Sequence, residues 1–131
     1  MSDIYRWIRR SAAFGYMGII FYLSSRSYPQ SLIVFEGMDL VLHFIEYGIL
    51  GFVLYEMFKN EKNAWMKQYA RALSFFCASV YGMTDEVHQH FVPTRCMSLM
   101  DWVMDTLGSL TLVAVWVRAK RCFSREDAAL R

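Results

Sequence analysis

The chain has 131 residues, enough for one domain. Apolar residues make up 56% of it and aromatics 17%, charged residues only 20%, with nine Met and two Pro. That balance excludes a disordered chain, a collagen-like chain and a low-complexity linker, and it is more apolar surface than a soluble domain of this size hides well. The net charge of +2 arises from 14 basic and 12 acidic residues, so their placement matters more than the total.

Four apolar stretches follow one another in a single domain, 1–131. They predict helices over about 8–25, 40–58, 69–91 and 99–117, with a polar tail over 118–131. Each stretch is roughly as long as the about 20 residues that cross about 30 Å of hydrocarbon. The joins are short: 24–37 holds Ser, Pro and Gly, and 92–98 holds Pro93 and Arg95. A soluble four-helix bundle needs a polar stripe along every helix. Met17–Leu23, Gly48–Tyr55, Leu73–Met83 and Thr106–Val117 carry no charge, so that stripe is missing. Arg6, Arg9 and Arg10 before an apolar run also fit a cleaved signal peptide, but Ser-Ser-Arg-Ser after Leu23 lacks an A-x-A site. The expected fold is an all-α, polytopic membrane protein with four transmembrane helices.

Lysine and arginine near helix ends set orientation, the cytoplasmic side being richer in both. With four crossings, Arg6, Arg9, Arg10, Lys59, Lys62, Lys67, Arg71, Arg118, Lys120, Arg121, Arg125 and Arg131 share one side, against Arg26 and Arg95 on the other. Both termini are therefore expected in the cytoplasm. Basic residues spread over helix ends do not form the aromatic-studded face of a nucleic-acid binder, and membrane lipid is the partner they imply. Cys77, Cys96 and Cys122 make no CxxC or Cys/His spacing, so neither a disulfide framework nor a structural zinc site is expected.

Ionisable groups inside a bilayer cost at least about 2.5–3.5 kcal/mol at its centre and are functional candidates by default. The second helix has His43, Glu46 and Tyr47. The third ends with Asp85, Glu86, His88, Gln89 and His90, and the fourth begins with Asp101 and Asp105. On the expected topology all fall in the outer half. His43, Glu46, Asp85, Asp101 and Asp105 lie roughly 5–12 Å below the outer connections at 1.5 Å per residue. His43, Glu46 and Tyr47 share a helix face, as do Asp85, His88 and Gln89, and Asp101 with Asp105. The last face continues through Gly108 and Ser109 toward Leu112. Gly48 and Gly51 let a neighbouring helix approach closely.

At these positions the sequence resembles the VanZ-like family. The matching pieces are Phe21-Tyr22-Leu23-Ser24-Ser25, then His43-Phe44 with Glu46-Tyr47 and Gly51-Phe52. They continue with Thr84-Asp85-Glu86-Val87-His88-Gln89-His90-Phe91-Val92-Pro93 and Arg95, and end with Asp101 and Asp105-Thr106-Leu107-Gly108. The resemblance covers about residues 10–117, and its specific part is the Asp-Glu-x-His-Gln-x-Phe-x-Pro-x-Arg block. Thr94 stands where the commoner pattern has Gly, and Asp105 where it has Asn. The resemblance implies a multi-pass protein of the bacterial cytoplasmic (inner) membrane, in a family whose founding member is linked to resistance to the lipoglycopeptide teicoplanin.

Three readings of the polar residues stay open. In the first, an outward pocket binds a lipid-linked cell-wall precursor or modulates lipoglycopeptide action. Its contacts would come from Ser24, Ser25, His43, Glu46, Tyr47, Gln89, Arg95, Asp101 and Asp105, with Arg95 suited to phosphate or carboxylate. In the second, the protein is a membrane-embedded, metal-assisted hydrolase or transferase. Asp85, Glu86 and His88 are its catalytic candidates, and His43, Glu46, Asp85, His88, Asp101 and Asp105 are candidate ligands for a divalent metal ion. No HExxH-type motif marks such a site. In the third, the same groups pair with one another and lock the helix ends. The remaining polar and aromatic residues have plainer expected roles: Trp7, Tyr22, Tyr28, Trp102 and Trp116 as interfacial belt residues, and Glu56 solvated at the cytoplasmic end.

Overall fold

The structure, a computed structural model, describes residues 3–27 and 37–129. They form five helices: α1 (Asp3–Ser24), α2 (Met38–Lys59), α3 (Ala64–Gln68), α4 (Ala70–Gln89) and α5 (Leu99–Ala129). No strand occurs among the described residues. Tyr28 and most of the first connection lie outside them.

Local sequence sets the helix ends. Gly37, at φ 83°, adopts the left-handed backbone that precedes α2, a conformation glycine enters without a Cβ clash. Asn63 caps α3, its side chain accepting from the Trp65 and Met66 N–H groups at 2.9 and 3.3 Å. Ser98 precedes α5, and its hydroxyl accepts from the Asp101 N–H at 3.2 Å.

Helix α2 is the centre of the bundle and packs most extensively on α5, then on α4 and α1. Small residues bring α2 and α5 together. A Cβ on Gly108 would stand 2.1 Å from the Phe44 carbonyl oxygen, and one on Gly51 would stand 2.8 Å from Ser109 Cα. The apolar core lies in the half toward Lys59, around Leu50, Leu54, Tyr55, Phe58, Ala78 and Val113. The opposite half buries His43, Asp85, Glu86, Gln89 and Asp105.

Several sequence expectations are corrected. Two helices, not four, are long and apolar enough to cross a membrane: Met38–Lys59 and Leu99–Arg125. In α1 the charges at Asp3, Arg6, Arg9 and Arg10 leave an uncharged run only from Ser11 to Ser24. In α4, Arg71 and Asp85 bracket one from Ala72 to Thr84. Both runs fall short of about 20 residues. The expected polar tail is helical as far as Ala129. Glu56 is not freely solvated: its Oε1 accepts from Trp116 Nε1 at 2.8 Å and from Lys120 Nζ at 2.7 Å. Trp116 therefore spends its indole N–H inside the bundle, and Trp102 donates to the Ser79 carbonyl at 3.0 Å. Between α2 and α3, the buried Glu61 takes a bidentate pair from Arg10 of α1, both contacts at 2.7 Å.

Candidate functional site

The end of α2 near Met38, the last turn of α4 and the first turns of α5 meet around a cluster of polar side chains. His43 is the hub. Its Nδ1 lies 2.9 Å from Asp105 Oδ1 and its Nε2 3.9 Å from Asp101 Oδ2. A carboxylate only accepts, so the hydrogen of this pair sits on Nδ1. Asp105 has room for its second oxygen because position 82 is glycine: a Cβ there would stand 2.8 Å from Asp105 Oδ2. Tyr47 stacks against His43, with ring centroids 6.4 Å apart and planes 7° from parallel, and the Tyr81 ring lies 6.3 Å from that of Tyr47, tilted by 36°.

Asp85 and Glu86, on α4, face inward and take different partners. Asp85 Oδ2 accepts from Gln89 Nε2 at 3.1 Å, and Gln89 Oε1 accepts from Arg95 at 3.4 Å. Glu86 Oε2 accepts from the Ser98 backbone N–H at 2.7 Å, which holds the entry to α5. His88 turns away from this cluster toward α1: its Nε2 is 2.9 Å from the Ser25 hydroxyl, and its ring lies 4.5 Å from that of Phe21. Glu46 is half-buried, and its main-chain carbonyl accepts from Tyr16 at 3.2 Å. The sequence-derived candidates thus divide. His43, Tyr47, Glu86, Asp101 and Asp105 gather in one cluster, Asp85, Gln89 and Arg95 form a hydrogen-bonded chain next to it in sequence on α4 and the following loop, and Ser25 and His88 form a separate link from α1 to α4.

The loop that returns Arg95 to Gln89 is a tight turn. The Arg95 N–H donates to the Val92 carbonyl at 3.1 Å, with Pro93 and Thr94 between them. Thr94 has φ 71°, the only positive φ at a non-glycine among the described residues. Proline followed by a positive-φ residue is the pattern of a type II turn, where glycine normally takes the second central place. Thr94 thus occupies a backbone position that glycine takes without a Cβ clash.

Five buried oxygens have no protein hydrogen-bond partner: Ser24 Oγ, Tyr47 Oη, Asp85 Oδ1, Glu86 Oε1 and Asp105 Oδ2. Buried polar atoms are nearly always paired, so several orphans in one half of a small bundle are unusual. His43, Glu86 and Asp105 each also offer one ligand atom within 4.8 Å of the others. A histidine with two carboxylates suits a divalent cation, and the orphan oxygens of Glu86 and Asp105 fit that use. Of the metal candidates expected from sequence, His43 and Asp105 belong to this trio. Glu86, expected from the sequence as a catalytic candidate, completes it.

A family model matches residues 3–120, described as VanZ/LLP1. The chain belongs to the VanZ/LLP1 family. Neither a curated protein nor a solved structure matches it. The matched span contains every residue of the network above. Within the family frame, the Asp-Glu-x-His-Gln block supplies the last turn of α4, and its Pro-x-Arg supplies the turn that carries Arg95.

Proposed function

We propose that this VanZ-family protein crosses the bacterial cytoplasmic membrane four times with both termini inside, the less apolar α1 and α4 spanning it beside α2 and α5 because their 22 and 20 residues reach across and their charges lie toward the helix ends. Its outer polar site, in this reading, binds the head group of a lipid-linked cell-wall precursor or modulates a lipoglycopeptide of the teicoplanin type. What supports the membrane reading is an inverted surface: Phe14, Ile19, Phe76, Val80, Leu110 and Val115 point outward while Asp85, Glu86 and Asp105 are buried. Lipid tolerates that arrangement and water does not. The division of basic residues between the two ends orients the helices.

The observation that carries the binding reading is the set of five buried oxygens without partners. All are acceptors, or hydroxyls able to accept. A head group rich in sugar hydroxyls and peptide N–H groups supplies the matching donors, and Arg95 suits its phosphate or carboxylate. The test expresses wild type, Asp85→Asn, Glu86→Gln and Arg95→Gln in a lipoglycopeptide-susceptible host at equal membrane level. Loss of teicoplanin protection in the variants is expected, and full protection by all three overturns the reading. Topology is tested with an impermeant maleimide on intact spheroplasts. Cys96 is expected to label before lysis and Cys122 only after it. The reverse order, or labelling of both, overturns the orientation.

A second reading, a metal-assisted hydrolase or transferase on a lipid-linked substrate, rests on the trio His43, Glu86 and Asp105. A bound divalent ion would polarise a phosphoryl oxygen or activate water there. The test measures the metal content of purified protein after incubation with zinc or manganese. Stoichiometric retention that Glu86→Gln removes is expected; content equal to that of the variant sinks the reading.

A further inference from the structure

The other end of the bundle holds a different kind of site. A cavity of about 590 Å³ opens where α2, α4 and α5 come together beside α3. Lys59, Lys67, Arg71, Lys120, Arg121 and Arg125 line it, and no acidic side chain does so among the described residues. It lies at the opposite end from the acidic network: Lys59 is about 24 Å along α2 from His43, and Arg121 is as far along α5 from Asp105. Lys120 is paired with Glu56. No acidic partner of the other five occurs among the described residues. Basic groups that line one cavity repel one another, an arrangement that an anion relieves.

A second observation concerns Tyr55. Its side chain is 7% exposed, lines the cavity, and has no hydrogen-bond partner for its hydroxyl among the described residues. A phenol that lines a cavity rich in cations is placed to donate its hydroxyl to an oxyanion there. Val117 and Ala70 give the wall an apolar part, and the volume falls in the range of small-molecule sites.

We infer that this cavity is a binding site for a phosphate-bearing ligand with two or more negative charges in all, held by Arg71, Arg121, Arg125 and the Tyr55 hydroxyl. The site is independent of what the acidic network binds. Two sources share this chemistry, the head group of a multiply charged anionic phospholipid and a soluble phosphate, and arginine's planar fork suits both.

The experiment uses full-length protein in detergent, observed by native mass spectrometry with added diphosphatidylglycerol or phosphatidylcholine, and titrated separately with pyrophosphate. Wild type is expected to retain diphosphatidylglycerol at least about tenfold more tightly than phosphatidylcholine, each arginine-to-glutamine change weakening that retention by about fivefold. Tyr55→Phe is expected to weaken it without changing thermal stability. Arg118→Gln, a basic residue outside the cavity, is the control and is expected to match wild type. If pyrophosphate binds instead and is lost in Arg71→Gln, the source is a soluble phosphate and the site stands. Equal retention of both lipids with no pyrophosphate binding overturns the proposal. So does an Arg118→Gln effect as large as that of Arg71→Gln in folded protein.

Discussion

His43 Nδ1 and Asp105 Oδ1, 2.9 Å apart, tie α2 to α5 with both side chains at most 8% exposed. Removing one partner of such a pair strands the other charge and costs about 3–5 kcal/mol, whereas a neutral replacement that keeps the hydrogen bond costs far less. His43→Ala should therefore lower the thermal midpoint of the purified protein strongly. Asp105→Asn should change it far less, because the amide oxygen still accepts from Nδ1 and no buried charge is left without its partner. Equal losses in the two variants would mean that the pair does not hold the helices.

The contact between α2 and α5 makes a contrast among glycines testable. A Cβ at Gly108 would sit 2.1 Å from the Phe44 carbonyl oxygen, so Gly108→Ala must separate the helices. Overpacking of this kind costs about 1–3 kcal/mol or more, and a clash with backbone belongs at the upper end. Gly15 and Gly18, on the outer face of α1, have nothing within 4 Å of a built Cβ. Alanine there should be neutral or stabilising by up to about 1 kcal/mol, through helix propensity. Membrane yield and unfolding midpoint for the three alanine variants check the order.

The four long helices and the position of the polar cluster were legible because charges stand out in apolar runs. Asp85, Glu86, Asp101, Asp105 and His43 interrupt stretches that otherwise read as continuous hydrocarbon. Their partners were not legible. Whether Asp105 meets His43 or Arg95 depends on the helix register, set by how closely Gly108 approaches Phe44, and no single-helix pattern encodes that distance. The same reason hid the Glu56 contacts with Trp116 and Lys120, residues 60 or more apart in sequence. The short α3 escaped because five residues carry no periodicity, though Asn63 before it was a readable cap. The helical extension of α5 beyond Val117 is not legible because charged residues there end the apolar run without ending the helix.

Arg10 and Glu61 fasten α1 to the connection after α2, and their pairing gives the fold a pH dependence. The Arg10 guanidinium, through its hydrogen bonds, holds the Glu61 carboxyl below its ordinary value of 4.5. A carboxylate with a depressed folded value adds stability that is complete above its unfolded value and is lost as pH falls through the folded one. Unfolding midpoints should thus fall as pH drops below about 4.5. In Glu61→Gln that portion of the fall should be absent, with a lower midpoint at pH 7. An unchanged acid slope in the variant would assign the fall to other carboxylates.

Thr94 gives the most economical test of the turn that carries Arg95. It sits at φ 71° between Pro93 and the Arg95 N–H that closes on the Val92 carbonyl. A β-branched residue in the left-handed region is strained by about 1–2 kcal/mol, and glycine removes the clash while giving back about 0.4–1 kcal/mol through the freer unfolded chain. Thr94→Gly should therefore stabilise the protein by roughly 0.5–1 kcal/mol. Thr94→Ala keeps a Cβ and should gain much less. Because the change relaxes the loop without touching the Gln89–Arg95 contact, teicoplanin protection should persist in Thr94→Gly wherever wild type confers it. A destabilised Thr94→Gly, measured by thermal unfolding, would show that the threonine side chain does more for the turn than its backbone strain takes away.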